Sequence, residues 1–167
     1  MTAKARRRFI GVVGPGDTGA LPDGQAVEAV AEEVGRRLAR AGAVVVCGGL
    51  GGVMAAACRG AAGVGGVTVG LLPGDDRSAA NEWVGVPVAT GLGEGRNVLV
   101  VRTSDALVAV GGAYGTLSEV ALALKAGKVV AGLGTWDLVR PDGSRDDGVI
   151  AVGSAAEAVE VVLHGQA

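Results

Sequence analysis

The 167 residues are enough for one well-packed domain and too few for two of ordinary size. With 49% hydrophobic residues, 19% charged residues and a formal net charge of -2, a disordered chain is excluded, and so is a nucleic-acid binder driven by bulk charge. Aromatics at 2% are too few for the successive stacking platforms of single-strand binders, whereas 31 glycines among many Val and Ala residues point to short buried strands joined by tight turns.

Residues 1–8 form a basic leader, expected to be flexible and solvated, with Arg6-Arg7-Arg8 at its end. The apolar run that follows, 9–13, is stopped by Gly14-Pro15-Gly16; it is too short for a signal peptide or a membrane span and reads as a strand buried on both faces. Residues 25–41 repeat Val27, Val30, Ala31, Val34 and Leu38 at helical spacing, with acidic residues early, basic residues late and Gly42 as the stop. A second strand over 43–47 runs into Gly48-Gly49-Leu50-Gly51-Gly52 and a small-residue helix over 53–62, and a third strand over 67–72 ends at Pro73-Gly74-Asp75. The stretch 76–93 carries little pattern beyond a short strand over 87–90. A helix over 96–103, a strand over 106–110, a helix over 114–126 and a strand over 129–133 follow. Pro141-Asp142-Gly143-Ser144 is a surface turn, 149–152 a weak strand, and 154–163 a helix capped by Ser154.

Strands alternating with helices at this spacing predict a single α/β domain over 9–167, doubly wound, with a mostly parallel sheet and helices on both faces. Ligands of such folds bind at the carboxyl ends of the strands, where three strands run directly into glycine at Gly14, Gly48 and Gly111.

Scarce residues exclude chemistry. His164 is the sole histidine, so neither a histidine-based triad nor a multi-histidine metal site can be built within one chain, and no metal is expected. Lysines occur only at 4, 125 and 128, none well placed for a Schiff base. Cys47 and Cys58 lack CxxC spacing and secretory context, and read as packed thiols in a cytoplasmic protein.

Two glycine loops are candidates for ligand binding. Gly14-Pro15-Gly16-Asp17-Thr18-Gly19 spells G-x-G-x-x-G, but no helix opens within it and the second strand ends in Cys47-Gly48-Gly49 without a carboxylate for a ribose. It reads as a plain loop or a mononucleotide contact in preference to a dinucleotide site. Gly111-Gly112-Ala113-Tyr114-Gly115-Thr116 combines a buried strand, a glycine turn and a helix start, where converging N–H groups and the helix dipole favour an anion. Thr116 adds a hydroxyl, and Glu119 lies one turn further in. The alternative is a capping box, in which Thr116 and Glu119 merely satisfy the helix start. Tyr114 faces a ligand or braces that start; Arg96 lines a pocket rim or pairs on the surface with Glu94; Met54 reads as core; Asp105 reads as a cap or turn residue; Trp83 and Trp136 are candidates for a subunit contact.

Cys47-Gly48-Gly49-Leu50-Gly51-Gly52-Val53-Met54, then Arg96, then Gly111-Gly112-Ala113-Tyr114-Gly115-Thr116-Leu117-Ser118-Glu119 resembles the Lonely Guy (LOG) superfamily, long labelled lysine decarboxylases, whose hallmark is PGGxGTxxE. Gly95-Arg96-Asn97, Ser104-Asp105 and Gly132-Leu133-Gly134-Thr135-Trp136 bring it nearest to the bacterial branch that includes molybdenum-cofactor carrier proteins and SLOG-type domains. The resemblance implies a Rossmann-like homodimer or higher oligomer that binds a phosphorylated, nucleotide-like small molecule or a molybdopterin-type ligand, requires no cofactor, and engages neither nucleic acid nor membrane. The glycine loops at the strand ends place ligand contacts at Gly14, Gly16, Gly48, Gly49, Gly111, Gly112, Ala113, Tyr114, Gly115 and Thr116. Hydrolytic members cleave the N-glycosidic bond of nucleoside 5′-monophosphates to base and ribose 5-phosphate, which would make Arg96 and Glu119 catalytic, the carboxylate stabilising an oxocarbenium-like state while activating water. Against hydrolysis, the hallmark proline is absent, and Gly93-Glu94-Gly95-Arg96-Asn97 lacks the histidine and lysine of the plant-type segment.

Overall fold

The computed structural model describes residues 6–165; Met1 to Ala5, with Lys4 and most of the basic leader, lie outside the described residues. The short apolar runs form the strands β1 (Phe9–Val13), β2 (Val44–Cys47), β3 (Thr68–Leu72), β4 (Val86–Ala89), β5 (Ala106–Val110) and β6 (Val130–Leu133); a hairpin of β7 (Leu138–Val139) and β8 (Arg145–Asp146) follows, then β9 (Val149–Ala151). The 3.6-period segments form α1 (Gly24–Arg40), α2 (Val53–Ala62), α3 (Arg96–Thr103), α4 (Tyr114–Lys125) and α5 (Ala155–His164). Seven strands make one parallel sheet in the order β4-β3-β2-β1-β5-β6-β9, an α/β single domain of Rossmann-like build.

Alternation along the strands divides the core between two layers. Ile10, Val12, Val45, Val108 and Ala131 face one side, where Val34 and Leu38 of α1, Ala57 of α2 and Val162 of α5 cover them. Val13, Val46, Leu107, Ala109 and Val130 face the other, under Val100 of α3 and Val120 of α4. Burial on both faces explains why these strands read as unbroken apolar runs. On the first side α1 and α2 approach so closely that a Cβ on Gly35 would lie 1.9 Å from the Ala57 carbonyl oxygen, and one on Gly60 1.9 Å from that of Glu32. Arg59 of α2 ties the same contact at its edge through a 2.8 Å bond to Glu32.

The tail completes the sheet: β9 pairs with β6, and Ser154 caps α5 by accepting from the Glu157 amide at 3.2 Å. Arg8 remains exposed but is tethered, donating to the Val162 carbonyl at 3.0 Å and lying 3.8 Å from Asp105, which in turn accepts the Phe9 amide at 2.8 Å. Lys128 caps the end of α3, donating to the carbonyls of Val101 and Ser104. No helix among the described residues is long and apolar enough to cross a membrane.

The strand order fixes where a crevice opens. From β1 the chain crosses through α1 to β2 on one flank, while β5, reached through α3, lies on the other, so the loops leaving β1 and β5 diverge at their carboxyl ends. Gly14 makes this junction possible, because a Cβ there would meet the Val110 carbonyl oxygen at 2.4 Å.

Candidate functional site

A cavity of about 750 Å³ occupies that crevice. Gly14 and Gly16 come to it from the loop after β1, Gly48 and Leu50 from the loop after β2, Gly95 and Arg96 from the start of α3, and residues 113–116 with Glu119 from α4. The loop 14–19 opens no helix, since α1 begins only at Gly24, so Gly14 and Gly16 contribute wall without a dinucleotide-type phosphate turn.

At α4 the backbone turns on Gly111, which takes φ +66°, a conformation that favours glycine. The Gly111 amide is spent on the Leu133 carbonyl at 2.9 Å, and the first amide of the helix with a backbone partner is that of Leu117, bonded to Ala113 at 2.9 Å. Between them the amides of Gly112, Ala113, Tyr114, Gly115 and Thr116 have no protein acceptor among the described residues. The capping box does not form: the helix is preceded by Ala113, which puts Thr116 inside its first turn. Thr116 is buried to 2% exposure on the cavity wall and its Oγ1 has no partner.

Glu119, released from any capping duty, turns to Arg96. Their side chains are buried, with Nη1 3.5 Å from Oε1, so Arg96 is a pocket residue and forms no surface pair with Glu94. The guanidinium lies flat against Gly48: a Cβ there would be 2.4 Å from Nη2 and 2.6 Å from Cζ. Arg96 Nη1 also donates to Asn97 Oδ1 at 2.6 Å; Asn97 Nδ2 donates to Ser118 Oγ at 2.8 Å, and Ser118 Oγ donates to the Gly115 carbonyl at 2.7 Å. This chain of bonds links the start of α3 to the start of α4. Arg96 Nε remains buried without a partner. Burial pushes the Glu119 carboxyl up to about 7 against the opposing pull of Arg96, so near neutral pH it is present in both protonation states and can accept or donate a proton.

Not all the expected glycines reach the cavity. Gly49, at φ +77°, packs its Cα against Gly70 and Leu72; Gly111 serves the turn; Gly112 backs onto the Trp136 indole. Tyr114 does reach it, 84% exposed, with its ring centroid 5.8 Å from that of Trp136. Met54, expected as core, both packs with Cys47 and Cys58 and touches the cavity. The two thiols are free and buried, Sγ to Sγ 3.4 Å, with Cys58 pushed up by its hydrogen bond to Cys47 and by burial; Trp83 packs on this cluster and so finds partners within its own chain. Asn97 and Ser118 line the cavity and join Arg96 to the start of α4 although the sequence did not single them out as site residues, and their position beside Arg96 and Glu119 was the available signal.

The chain superposes on the molybdenum cofactor binding protein of Rippkaea orientalis with a TM-score of 0.82 and 35% identity, covering 96% of this chain and 98% of that one. It superposes on the molybdenum cofactor carrier protein of Chlamydomonas reinhardtii with a TM-score of 0.78 and 36% identity, over 95% and 97%. An uncharacterized protein of Archaeoglobus fulgidus is 44% identical over 124 residues, 74% of this chain and 78% of the relative. The sequence profile of the SLOG cluster4 family matches residues 7–159, and the chain belongs to that family.

Proposed function

We propose that this SLOG cluster4 protein is a carrier that holds a phosphorylated, molybdopterin-type cofactor as cargo in the cavity between β1 and β5. The observation that carries the reading is the group of five acceptor-free amides at residues 112–116 with the unpartnered Thr116 hydroxyl beside them. Converging N–H groups at a helix start favour a phosphate, and a hydroxyl buried without a partner is costly until a ligand oxygen reaches it. Arg96, with a buried Nε that has no acceptor, adds positive charge on the same wall. A cavity of 750 Å³ lies in the range of small-molecule sites and accommodates a phosphorylated heterocycle. Near-full-length similarity to proteins described as binding or carrying the molybdenum cofactor supports the same choice of cargo.

Thermal denaturation in the presence of a molybdopterin source, nucleoside monophosphates and ribose 5-phosphate tests the reading. A ligand present at a hundred times its Kd stabilises by about 2.7 kcal/mol, a readily measured rise in Tm. The absence of a rise with every phosphorylated compound refutes it.

A second reading, cleavage of the N-glycosidic bond of nucleoside 5′-monophosphates, is favoured by one observation, the buried Glu119 with its carboxyl near 7 beside Arg96. Incubation with adenosine and isopentenyl-adenosine monophosphates decides it. Free base released by the wild type and lost in Glu119→Ala supports it, and no release from either substrate rejects it.

A further inference from the structure

The chain has four aromatic side chains, and three of them serve packing. Phe9 and Trp83 pack against the two interior clusters they border, and Trp136 is half-buried with Nε1 donating to the Ala113 carbonyl at 3.1 Å. Tyr114 is the exception, 84% exposed on the cavity lining and at the first position of α4. A large ring left in water gains nothing for the fold. Its position is nonetheless held, because the Trp136 ring lies 5.8 Å away at an interplanar angle of 33° and is itself fixed by the Ala113 bond and by contact with Gly112. Trp136 therefore ties the turn after β6 to the start of α4 and packs beside Tyr114.

The same residue brings two chemistries together. The Tyr114 amide belongs to the acceptor-free group at 112–116, and the residue, 84% exposed, lines the same cavity. A second observation stands beside the helix start: Thr116, two residues on, lines the same cavity, is buried to 2% exposure and has an Oγ1 with no partner. Phosphate-binding groups alone would recognise any small phosphate ester. An aromatic plate one residue from them adds discrimination, since a conjugated ring gains stacking energy and a bare sugar phosphate does not.

We propose that Tyr114, packed beside Trp136, is the stacking plate that makes this cavity selective for a planar nitrogen heterocycle carrying a phosphate, over sugar phosphates and inorganic phosphate. The inference rests on the anion-site reading of residues 112–116 and specifies which ligands that site accepts.

The test compares wild type, Tyr114→Ala and Tyr114→Phe, all in a Trp83→Phe background so that Trp136 is the only tryptophan. Calorimetric titration uses 6-hydroxymethylpterin monophosphate, adenosine 5′-monophosphate and ribose 5-phosphate, with Trp136 emission followed in parallel. Tyr114→Ala is expected to weaken at least one heterocyclic probe about tenfold or more. It is expected to leave ribose 5-phosphate within about twofold and abolish the ligand-induced change in Trp136 emission, while Tyr114→Phe keeps both affinity and emission change. Equal loss for ribose 5-phosphate and the heterocycles overturns the inference, since Tyr114 would then only support the helix start. Unchanged heterocycle affinity in Tyr114→Ala overturns it while the anion site stands, and failure of the wild type to bind any of the three probes overturns both.

Discussion

Gly48 is the position where one methyl group tests the organisation of the site. Its φ lies outside the left-handed region, so Gly48→Ala is free of backbone strain, but the new Cβ would lie 2.4 Å from Nη2, 2.6 Å from Cζ and 2.8 Å from Nη1 of Arg96. Carbon and nitrogen atoms rest about 3.5 Å apart, so the guanidinium must withdraw by about 1 Å. The colliding atoms are the far end of a flexible side chain, so the fold survives at an overpacking cost of about 1–3 kcal/mol. Arg96 Nη1 stands 3.5 Å from Glu119 Oε1. With an effective dielectric of about 20, lengthening that separation by about 1 Å removes about 1 kcal/mol of attraction. Glu119, already raised to about 7 by burial against the opposing pull of Arg96, then titrates still higher; about 1 kcal/mol corresponds to a bit less than one pH unit. Carboxyl-carbon NMR of glutamate-labelled protein reads that midpoint directly. A midpoint unmoved in Gly48→Ala, with the Arg96–Glu119 pair intact in the variant's structure, would refute the reasoning.

Glu119 also makes stability depend on pH. Its folded-state value of about 7 exceeds the usual 4.5, so the unfolded chain releases this proton first and stability falls as pH rises from 4.5 through 7. The size is on the order of 3 kcal/mol. Urea unfolding between pH 4.5 and 8 should show this decline in the wild type and lose most of it in Glu119→Gln; equal slopes would show that the carboxyl is not buried as described. Gly35→Ala and Gly60→Ala each drive a Cβ to 1.9 Å from a carbonyl oxygen of the facing helix. Each should lower stability by about 3 kcal/mol or more, although helix propensity alone would raise it by about 1 kcal/mol, so the sign of the change in urea midpoint decides. Thr116→Val removes an unpartnered buried hydroxyl at nearly constant volume and should stabilise the free protein by about 1 kcal/mol while weakening phosphate-bearing ligands; a loss of stability would mean that the hydroxyl has a partner within the fold.

The parts of this fold legible in the sequence are those whose period is long enough to read. Phe9–Val13, Val53–Ala62, Arg96–Thr103 and Ala106–Val110 have the bounds their patterns predict; α1 is shifted by one residue at both ends and α4 is one residue shorter at its end. The short strand expected over 87–90 is displaced by one residue, to Val86–Ala89. The hairpin of β7 and β8 escaped because two-residue strands have no period; only its turn was visible, at Pro141-Asp142-Gly143-Ser144, now closed by the Arg140 amide on the Ser144 carbonyl at 2.8 Å. In the site, the helix start at Tyr114 and the residues Arg96 and Glu119 could be singled out, but their partnership across 23 positions could not, since it depends on how α3 packs beside α4.

Glycine limits what can be read most sharply, because one letter serves several physical roles. Gly49 and Gly111 satisfy the backbone, Gly35 and Gly60 let two helices touch, and Gly14 and Gly48 make room for a carbonyl and a guanidinium at the cavity. A sequence motif ranks them alike, whereas of these six only Gly14 and Gly48 lie in the cavity wall. Of the three buried side-chain atoms without a hydrogen-bond partner among the described residues, one, Thr135 Oγ1, lies in the turn after β6; the other two, Arg96 Nε and Thr116 Oγ1, are informative for the opposite reason. Each lowers the stability of the free protein, and both belong to residues that line the one cavity at the switch in strand order. A fold that caps α5 with Ser154 and the end of α3 with Lys128 thus leaves two of its three unpartnered buried atoms on residues of a single cavity wall, where ligand binding would repay their cost.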